Sequence, residues 1–500
     1  MKLKKQKPME RGAGVLMPVT SLPSPYGVGA FGRVAYEFVD FLKAAGQKYW
    51  QVLPLGPTSY GDSPYQSFSA FSGNPYFIDL DTLLEEGLLT EEEIAEKSWG
   101  DDSESVDYNA LYRGRFEVLQ KAYLRSRHQD TAEYRAFCEE NQSWLEDYSL
   151  FMAVKNSFGD KEWLLWPEEI RMREPAALSR CREKLKDDVG FWKFCQFQFF
   201  EQWGNLKAYA NQNGIQIIGD IPIYVALDSA DVWAHGEQFQ LDGERRPTGV
   251  AGVPPDLFSE TGQLWGNPLY DWERMEREEF AWWKERMAFS AKLYDVIRID
   301  HFVGIAHYYS IPYGDKTAEN GHWIDGPGEK LIAAINSAIG EKKVIAENLG
   351  VVTPEVDRIL EKSGYPGMKL MQFGFDSGPR NANLPSYFEK NSVVYGGTHD
   401  NETLAGFFAR QKRSVLKFAR EYLNVRTNKE IPAALIRAGY ASVADTAVFQ
   451  LQDLLGLDNS ARINTPATLG GNWRWRVKRE MLTEELAGQL KRLAELYGRA

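Results

Sequence analysis

Four acidic residues each close an apolar, β-branched run of the chain. Gly219-Asp220-Ile221-Pro222 ends one run and Arg298-Ile299-Asp300-His301 the next; Ala346-Glu347-Asn348 ends a third and Gly397-Thr398-His399-Asp400-Asn401 a fourth. One acid in such a place is most often a helix N-cap or half of a structural ion pair. Four are harder to explain that way, because carboxylates brought together repel and raise one another's pKa. A site that concentrates them needs either a metal ion or an acid working with a base or nucleophile. Cleavage of a glycosidic bond uses the second arrangement: one carboxylic acid protonates the leaving oxygen and one carboxylate attacks the sugar carbon. Arg298 stands two residues before Asp300, hence on the same side of an extended strand, where it would hold Asp300 ionised as a nucleophile. Glu347 has no basic residue beside it in sequence and suits the raised pKa of a general acid. The metal alternative has little to draw on, since the six histidines show no HxxxH spacing and the three cysteines no CxxC pair.

Positioning those acids requires strands that end together. Strand-like apolar runs recur at eight places: 13–19, 48–55, 214–226, 294–300, 342–347, 368–375, 392–397 and 441–451. Most are nearly continuous, the pattern of strands buried on both faces. Helical patterns lie between several of them. Val34, Phe38, Phe41, Leu42 and Ala45 recur at helical spacing, with Gly46 placed as a C-terminal cap. Strands alternating with helices predict an α/β fold, a (β/α)8 TIM barrel, with an open doubly wound sheet as the alternative. In a barrel the acids would meet at the C-terminal mouth. The catalytic barrel is expected over 12–500. A helical insertion is expected over 80–212 between the second and third strands, with Thr90 and Glu93 as a capping box, and a mouth-loop insertion over 228–285. The loops expected at the mouth, 59–76, 228–272, 301–330, 376–386 and 458–475, are rich in Gly, Pro, Asn and aromatics, including Tyr60, Tyr65, Trp265, Trp323 and Trp473. Sugar rings offer apolar faces that stack on aromatic planes and hydroxyls that need amide and acid partners, so these loops favour a sugar ligand.

Composition narrows the partners. Against 58 Lys plus Arg stand 70 Asp plus Glu, a formal charge of −12, which disfavours nucleic acid and anionic membranes. No apolar run approaches the roughly 18 residues of a membrane helix. The basic N-terminus is not followed by an apolar segment, so no secretory signal is expected. Three cysteines without paired spacing suggest free thiols in a reducing cytoplasm.

From about Gly12 onward the chain resembles the amylomaltase family, the 4-α-glucanotransferases related to α-amylases. The resemblance rests on Pro54-Leu-Gly-Pro-Thr, Tyr60-Gly-Asp-Ser-Pro-Tyr-Gln, Gly249-Val-Ala-Gly-Val-Pro-Pro-Asp and Trp265-Gly-Asn-Pro-Leu-Tyr. It continues through Arg298-Ile-Asp-His-Phe, Ala346-Glu-Asn-Leu-Gly, Gly397-Thr-His-Asp-Asn and Ala461-Arg-Ile-Asn-Thr-Pro. It implies Asp300 as nucleophile, Glu347 as general acid/base and Asp400 as transition-state stabiliser. Arg298 and His399 would bind and orient, Asp220 would be a further acid of the site, and Tyr65 would stack on the sugar at the cleavage point. Gln263, Trp265, Asp376 and Asn464 match sugar-contacting positions. The resemblance further implies no metal and no cofactor, and a substrate class of maltooligosaccharides and α-1,4-glucans moved between chains with retention. Three positions depart from the usual pattern: Val303 replaces an Arg, Asn348 an acid, and Leu257 a Tyr on the acceptor side. Two other readings use the same residues, an α-amylase-like hydrolase and a non-catalytic glucan-binding protein.

Overall fold

Every one of the eight apolar runs contributes a strand to a closed parallel barrel. The computed structural model describes residues 3–59, 61–256 and 259–500. In chain order its strands are β1 (Gly12–Leu16), β2 (Tyr49–Gln51), β3 (Gln216–Pro222), β4 (Gly249–Val253), β5 (Gln263–Pro268) and β6 (Val296–Asp300). They continue with β7 (His307–Pro312), β8 (His322–Asp325), β9 (Lys343–Ala346), β10 (Gly367–Leu370), β11 (Ser392–Tyr395) and β12 (Thr446–Gln450). The barrel runs β1-β2-β3-β6-β9-β10-β11-β12 and closes where β12 pairs with β1, which settles the choice against an open sheet.

One apolar cluster draws a residue from each barrel strand: Leu16, Tyr49, Ile218, Val296, Ile345, Met368, Val393 and Val448. Only the interior of the barrel can collect all eight strands. Side chains alternate along a strand, so the same inward face carries Asp220 two residues beyond Ile218, then Arg298 and Asp300 beyond Val296, and points Glu347 inward beyond Ile345. The interior is thus apolar below and charged at the mouth.

Outward-facing Val15, Trp50, Ile217, Ile297 and Val344 pack under the surrounding helices. Helix Arg33–Ala44 is one of these, and Gly46 at φ +64° closes it as the spacing predicts. Between β2 and β3 the chain is helical, with the Thr90–Glu93 capping box in place and helix Lys186–Gln212 delivering it to β3. Phe194 and Trp203 of that helix join the same apolar cluster as Val15 and Trp50, so a continuous core runs from the barrel wall into these helices.

Two features differ from the sequence expectation. The segments 228–272 and 301–330, read as loops, hold an antiparallel sheet of order β5-β4-β7-β8. Several barrel strands are also shorter than their apolar runs. Ala441 ends helix Ile431–Ala441, and residues 371–375 wind into a 3-10 turn directly after β10, although the Gln372 N–H still reaches across to Gly396 O at 3.0 Å. No helix among the described residues is long and apolar enough to cross a membrane.

Candidate active site

Strand register sets the first contacts. Asp220 on β3 lies opposite Arg298 on β6, and Pro222 lies opposite Asp300. Arg298 Nη1 donates to both Asp220 oxygens at 2.6 and 2.5 Å and stands 3.0 Å from Asp300 Oδ1; Nη2 is 3.8 Å from Glu347 Oε2. One guanidinium therefore holds three of the four acids from three different strand ends. Glu347 also accepts the backbone N–H of His301. His301 reaches that position in the left-handed region, φ +50°, a conformation a non-glycine residue keeps only when its surroundings enforce it. Asp400, on the loop after β11, accepts from Asn464 Nδ2 at 2.6 Å and lies 3.5 Å from His399 Nε2. Arg462 Nη2 donates to the Asp400 backbone carbonyl at 2.8 Å.

A cavity of about 250 Å³ opens over Asp300 and Asp400. Tyr65 and His399 stack along one wall, centroids 5.0 Å apart and planes at 19°, with Trp473 5.8 Å from each. The Tyr65 hydroxyl donates to Asp220 Oδ2 at 2.9 Å, which ties this wall to the acid cluster. Gln263 and Trp265 come in from β5, and Trp265 meets His301 edge-on at 4.7 Å. Asn464 also lines the cavity. The structure thus gathers Tyr65, Gln263, Trp265, Asp300, His399, Asp400 and Asn464 around the cavity, with Asp220, Arg298 and Glu347 joined to them through Arg298 and Tyr65.

Asp376 is placed differently. It follows the 3-10 turn after β10, is exposed, and accepts from Asn381 Nδ2 at 3.1 Å, outside the cavity lining. Trp323 sits on β8 and also lies outside the lining. Tyr60 and Leu257 fall outside the described residues. His301, Tyr224 and Asn267 line the cavity although sequence reasoning gave them no role. The signal was available for the first two, which lie one and two residues beyond a barrel strand that ends in the acid cluster.

Electrostatics follow from one cation among four acids. Burial opposes the charge on Arg298, but Asp220, Asp300 and Glu347 outweigh it and raise its pKa. Burial pushes Asp300 well above the carboxylate range, with Arg298 opposing and the charges of Glu347, Asp220 and Asp400 adding. Burial likewise pushes Glu347 up to about 7, against Arg298 and the His301 N–H. Arg298 alone was expected to keep Asp300 ionised; here burial and three neighbouring acids oppose it, and the two carboxyls titrate as a pair. Arg298 lies nearer Asp300 than Glu347, so a singly protonated pair carries its charge on Asp300 and its proton on Glu347. Burial lowers the His399 pKa, leaving a neutral ring that can donate to a sugar oxygen or to Asp400.

The two described departures have local explanations. Asn348 Oδ1 accepts the Met368 N–H at 2.8 Å, extending the β9–β10 pairing beyond Ala346 and Gly367. Val303 is buried in the turn after β6 and fills apolar space.

Known proteins show the same arrangement of sequence and fold. The profile of a family described as 4-alpha-glucanotransferase matches residues 17–483. A 4-alpha-glucanotransferase of Clostridium butyricum is 50% identical over 97% of this chain and 100% of its own length. One of Thermus thermophilus is 48% identical over 97% of this chain and 99% of its own. The solved amylomaltase of Streptococcus agalactiae, in complex with acarbose, superposes with a TM-score of 0.95 at 43% identity, covering 98% of this chain and 100% of that one. A match across this much of the chain, over a barrel whose strand ends carry the acids, shows that the chain belongs to the 4-alpha-glucanotransferase family.

Proposed function

We propose that the chain moves α-1,4-glucan segments between maltooligosaccharides by a retaining double displacement, with Asp300, Glu347 and Asp400 as its working carboxylates. The observation that carries this reading is Arg298, whose single guanidinium holds Asp220, Asp300 and Glu347 at the mouth of one sugar-sized cavity. Glu347 gives its proton to the glycosidic oxygen as the bond to the anomeric carbon breaks. An ionised oxygen of Asp300 forms the new bond to that carbon, giving a covalent glycosyl-enzyme. The 4-hydroxyl of an incoming glucan then loses its proton to Glu347 and attacks the same carbon, and Asp300 leaves as carboxylate. Asp400, aimed by Asn464 and His399, stabilises the positive charge that develops on the sugar ring. Tyr65, Trp265 and Gln263 hold the sugar rings; Asp376 would reach only a sugar lying outside the cavity.

The catalytic unit on this reading spans 12–500, with 80–212 as its helical insertion and 228–285 as its mouth insertion. The free cysteines Cys138, Cys181 and Cys195 support a reducing, cytoplasmic setting. The test is chromatography of products formed from maltotriose alone, with and without a chelator. Glucose together with a ladder of longer maltooligosaccharides, unaffected by the chelator, is the expected result. Glucose and maltose without longer products would make water the acceptor and the protein a hydrolase; no products at all would favour a binding protein.

A further inference from the structure

Next to the sugar cavity lies a second, smaller one of about 50 Å³, and Tyr65, Pro222 and Tyr224 line both. Asp220 and Arg286 also face the smaller space. Arg286 comes from helix Ala281–Leu293 and is 2% exposed. Its Nη2 donates to Pro222 O at 2.5 Å and its Nη1 to Ile223 O at 3.1 Å, while its Nε meets no hydrogen-bond partner among the described residues. Among the described residues no carboxylate forms an ion pair with it, and the buried Asp231 feels its charge only from beyond contact. The rings of Trp282 and Trp283 flank the guanidinium at 5.6 and 5.1 Å. A full charge buried against neutral carbonyls is a costly way to fill space that an aliphatic side chain would fill without penalty.

What the charge does is hold backbone. Pro222 is the last residue of β3 and the register partner of Asp300. The Ile223 carbonyl takes a second donor, the Tyr270 hydroxyl at 2.8 Å, and Asn267 Nδ2 donates to the Val225 carbonyl at 2.8 Å. The whole exit of β3, which carries Pro222, Ile223 and Tyr224 into the wall of the sugar cavity, is held by side-chain donors. We propose that Arg286 is a positioning residue of the transfer reaction: its grip on the Pro222 and Ile223 carbonyls sets the end of β3 beside Asp300 and the place of Tyr224 against the sugar. The proposal rests on the reading of Asp300 as nucleophile.

Arg286→Ala leaves a guanidinium-shaped space continuous with the 50 Å³ cavity. The expected result on maltotriose is a fall in kcat on the order of 10–100-fold, the scale of a small misplacement of reacting groups. KM should rise by less than kcat falls, because Tyr224 shifts in the cavity wall while Tyr65, Gln263 and Trp265 keep their places. Free guanidinium ion at millimolar concentration should restore part of the kcat of Arg286→Ala and leave the wild-type rate unchanged. Arg286→Lys, which returns a cation able to reach one carbonyl, should fall between the two. A folded Arg286→Ala protein with wild-type kcat overturns the proposal, and so does a loss that only matches the unfolded fraction and ignores guanidinium. Should Arg286→Ala fail to fold, Arg286→Lys decides, and a kcat within about twofold of wild type overturns it. Wild-type protein that makes no longer maltooligosaccharides removes the transfer reading and this proposal with it; active wild type with indifferent variants removes this proposal alone.

Discussion

At the scale of single residues the chemistry comes down to how many protons Asp300 and Glu347 share beside one guanidinium. Burial lifts Glu347 to about 7, above the 4.5 of a free glutamate, so the folded protein binds that proton more tightly than the unfolded chain does. Two consequences follow from that proton, and they run in the same direction with pH. With Glu347 as the proposed acid, kcat/KM should fall as pH rises through about 7. Stability should also fall with rising pH between about 4.5 and 7, because across that window the folded state holds more protons than the unfolded one. Glu347→Gln removes the titration. It should lose activity by on the order of 10²–10⁴-fold and yet melt higher than wild type at about pH 8, a gain that vanishes below about pH 4.5. Thermal melts across that range check the sign; a Glu347→Gln protein less stable than wild type at the alkaline end would mean the carboxylate is stabilised in place. Asp300→Asn should abolish turnover and leave the fold intact, since its neighbours lose a repelling charge; near-wild-type turnover would unseat Asp300 as nucleophile.

At the scale of elements, what could be read from the sequence was whatever depends on periodicity within one segment. The eight barrel strands were legible because each is an apolar run closed by a distinctive residue, and the acids were legible because they do the closing. The sheet β5-β4-β7-β8 was hidden because its strands pair across separate insertions. Three of its members also lack a continuous apolar signature: β4 has glycines at 249 and 252, β5 carries Gly266 and Asn267, and β8 is four residues long with His322 and Asp325 at its ends. Yet that sheet delivers Gln263 and Trp265 to the cavity. The stack of Tyr65 on His399 and the bond from Tyr65 to Asp220 join residues 334 and 155 positions apart, which no local pattern encodes. Gly252 shows how the sheet is held together. A Cβ there would come within 2.2 Å of Gln263 O and 2.5 Å of Ile311 Cδ1, so β4 and β5 can approach only because the side chain is missing. Gly252→Val should force β5 outward and carry Gln263 and Trp265 with it. The expected outcome is a KM for maltotriose raised at least about fivefold with a smaller change in kcat, because the groups proposed to hold sugar move while the carboxylates at the ends of β3, β6 and β9 stay. A proportionate fall in kcat at constant KM would show that the sheet takes part in aligning the carboxylates.

At the scale of the whole molecule the barrel separates its functions end from end. Charge is concentrated at the mouth, whereas the opposite end is where the chain seals the barrel. Arg499 is fully buried there. Its Nη1 donates to Gly12 O at 3.2 Å and Asp445 O at 3.0 Å, Nη2 to Ala444 O at 2.8 Å and Ser442 O at 3.1 Å, and Nε to Tyr440 O at 2.7 Å. Gly12 opens β1 and Asp445 immediately precedes β12, so this one side chain bolts the seam at which the last strand meets the first. Arg499→Ala strands several buried carbonyls at once, and the loss should be about 3–5 kcal/mol, the scale seen when a buried charged group is taken from its partners. In a urea titration the midpoint should fall with an unchanged slope, since the surface exposed on unfolding is the same. Activity per folded molecule should stay within about twofold of wild type, because the N-terminal end of such a barrel serves stability and the C-terminal end serves chemistry. Asp300→Asn is the mirror experiment, with turnover gone and the urea midpoint kept or raised. If Arg499→Ala lowered activity beyond its unfolded fraction, the two ends would be coupled through the barrel interior, and the layer of Ile218, Val296 and Ile345 beneath the acids would be the path to examine.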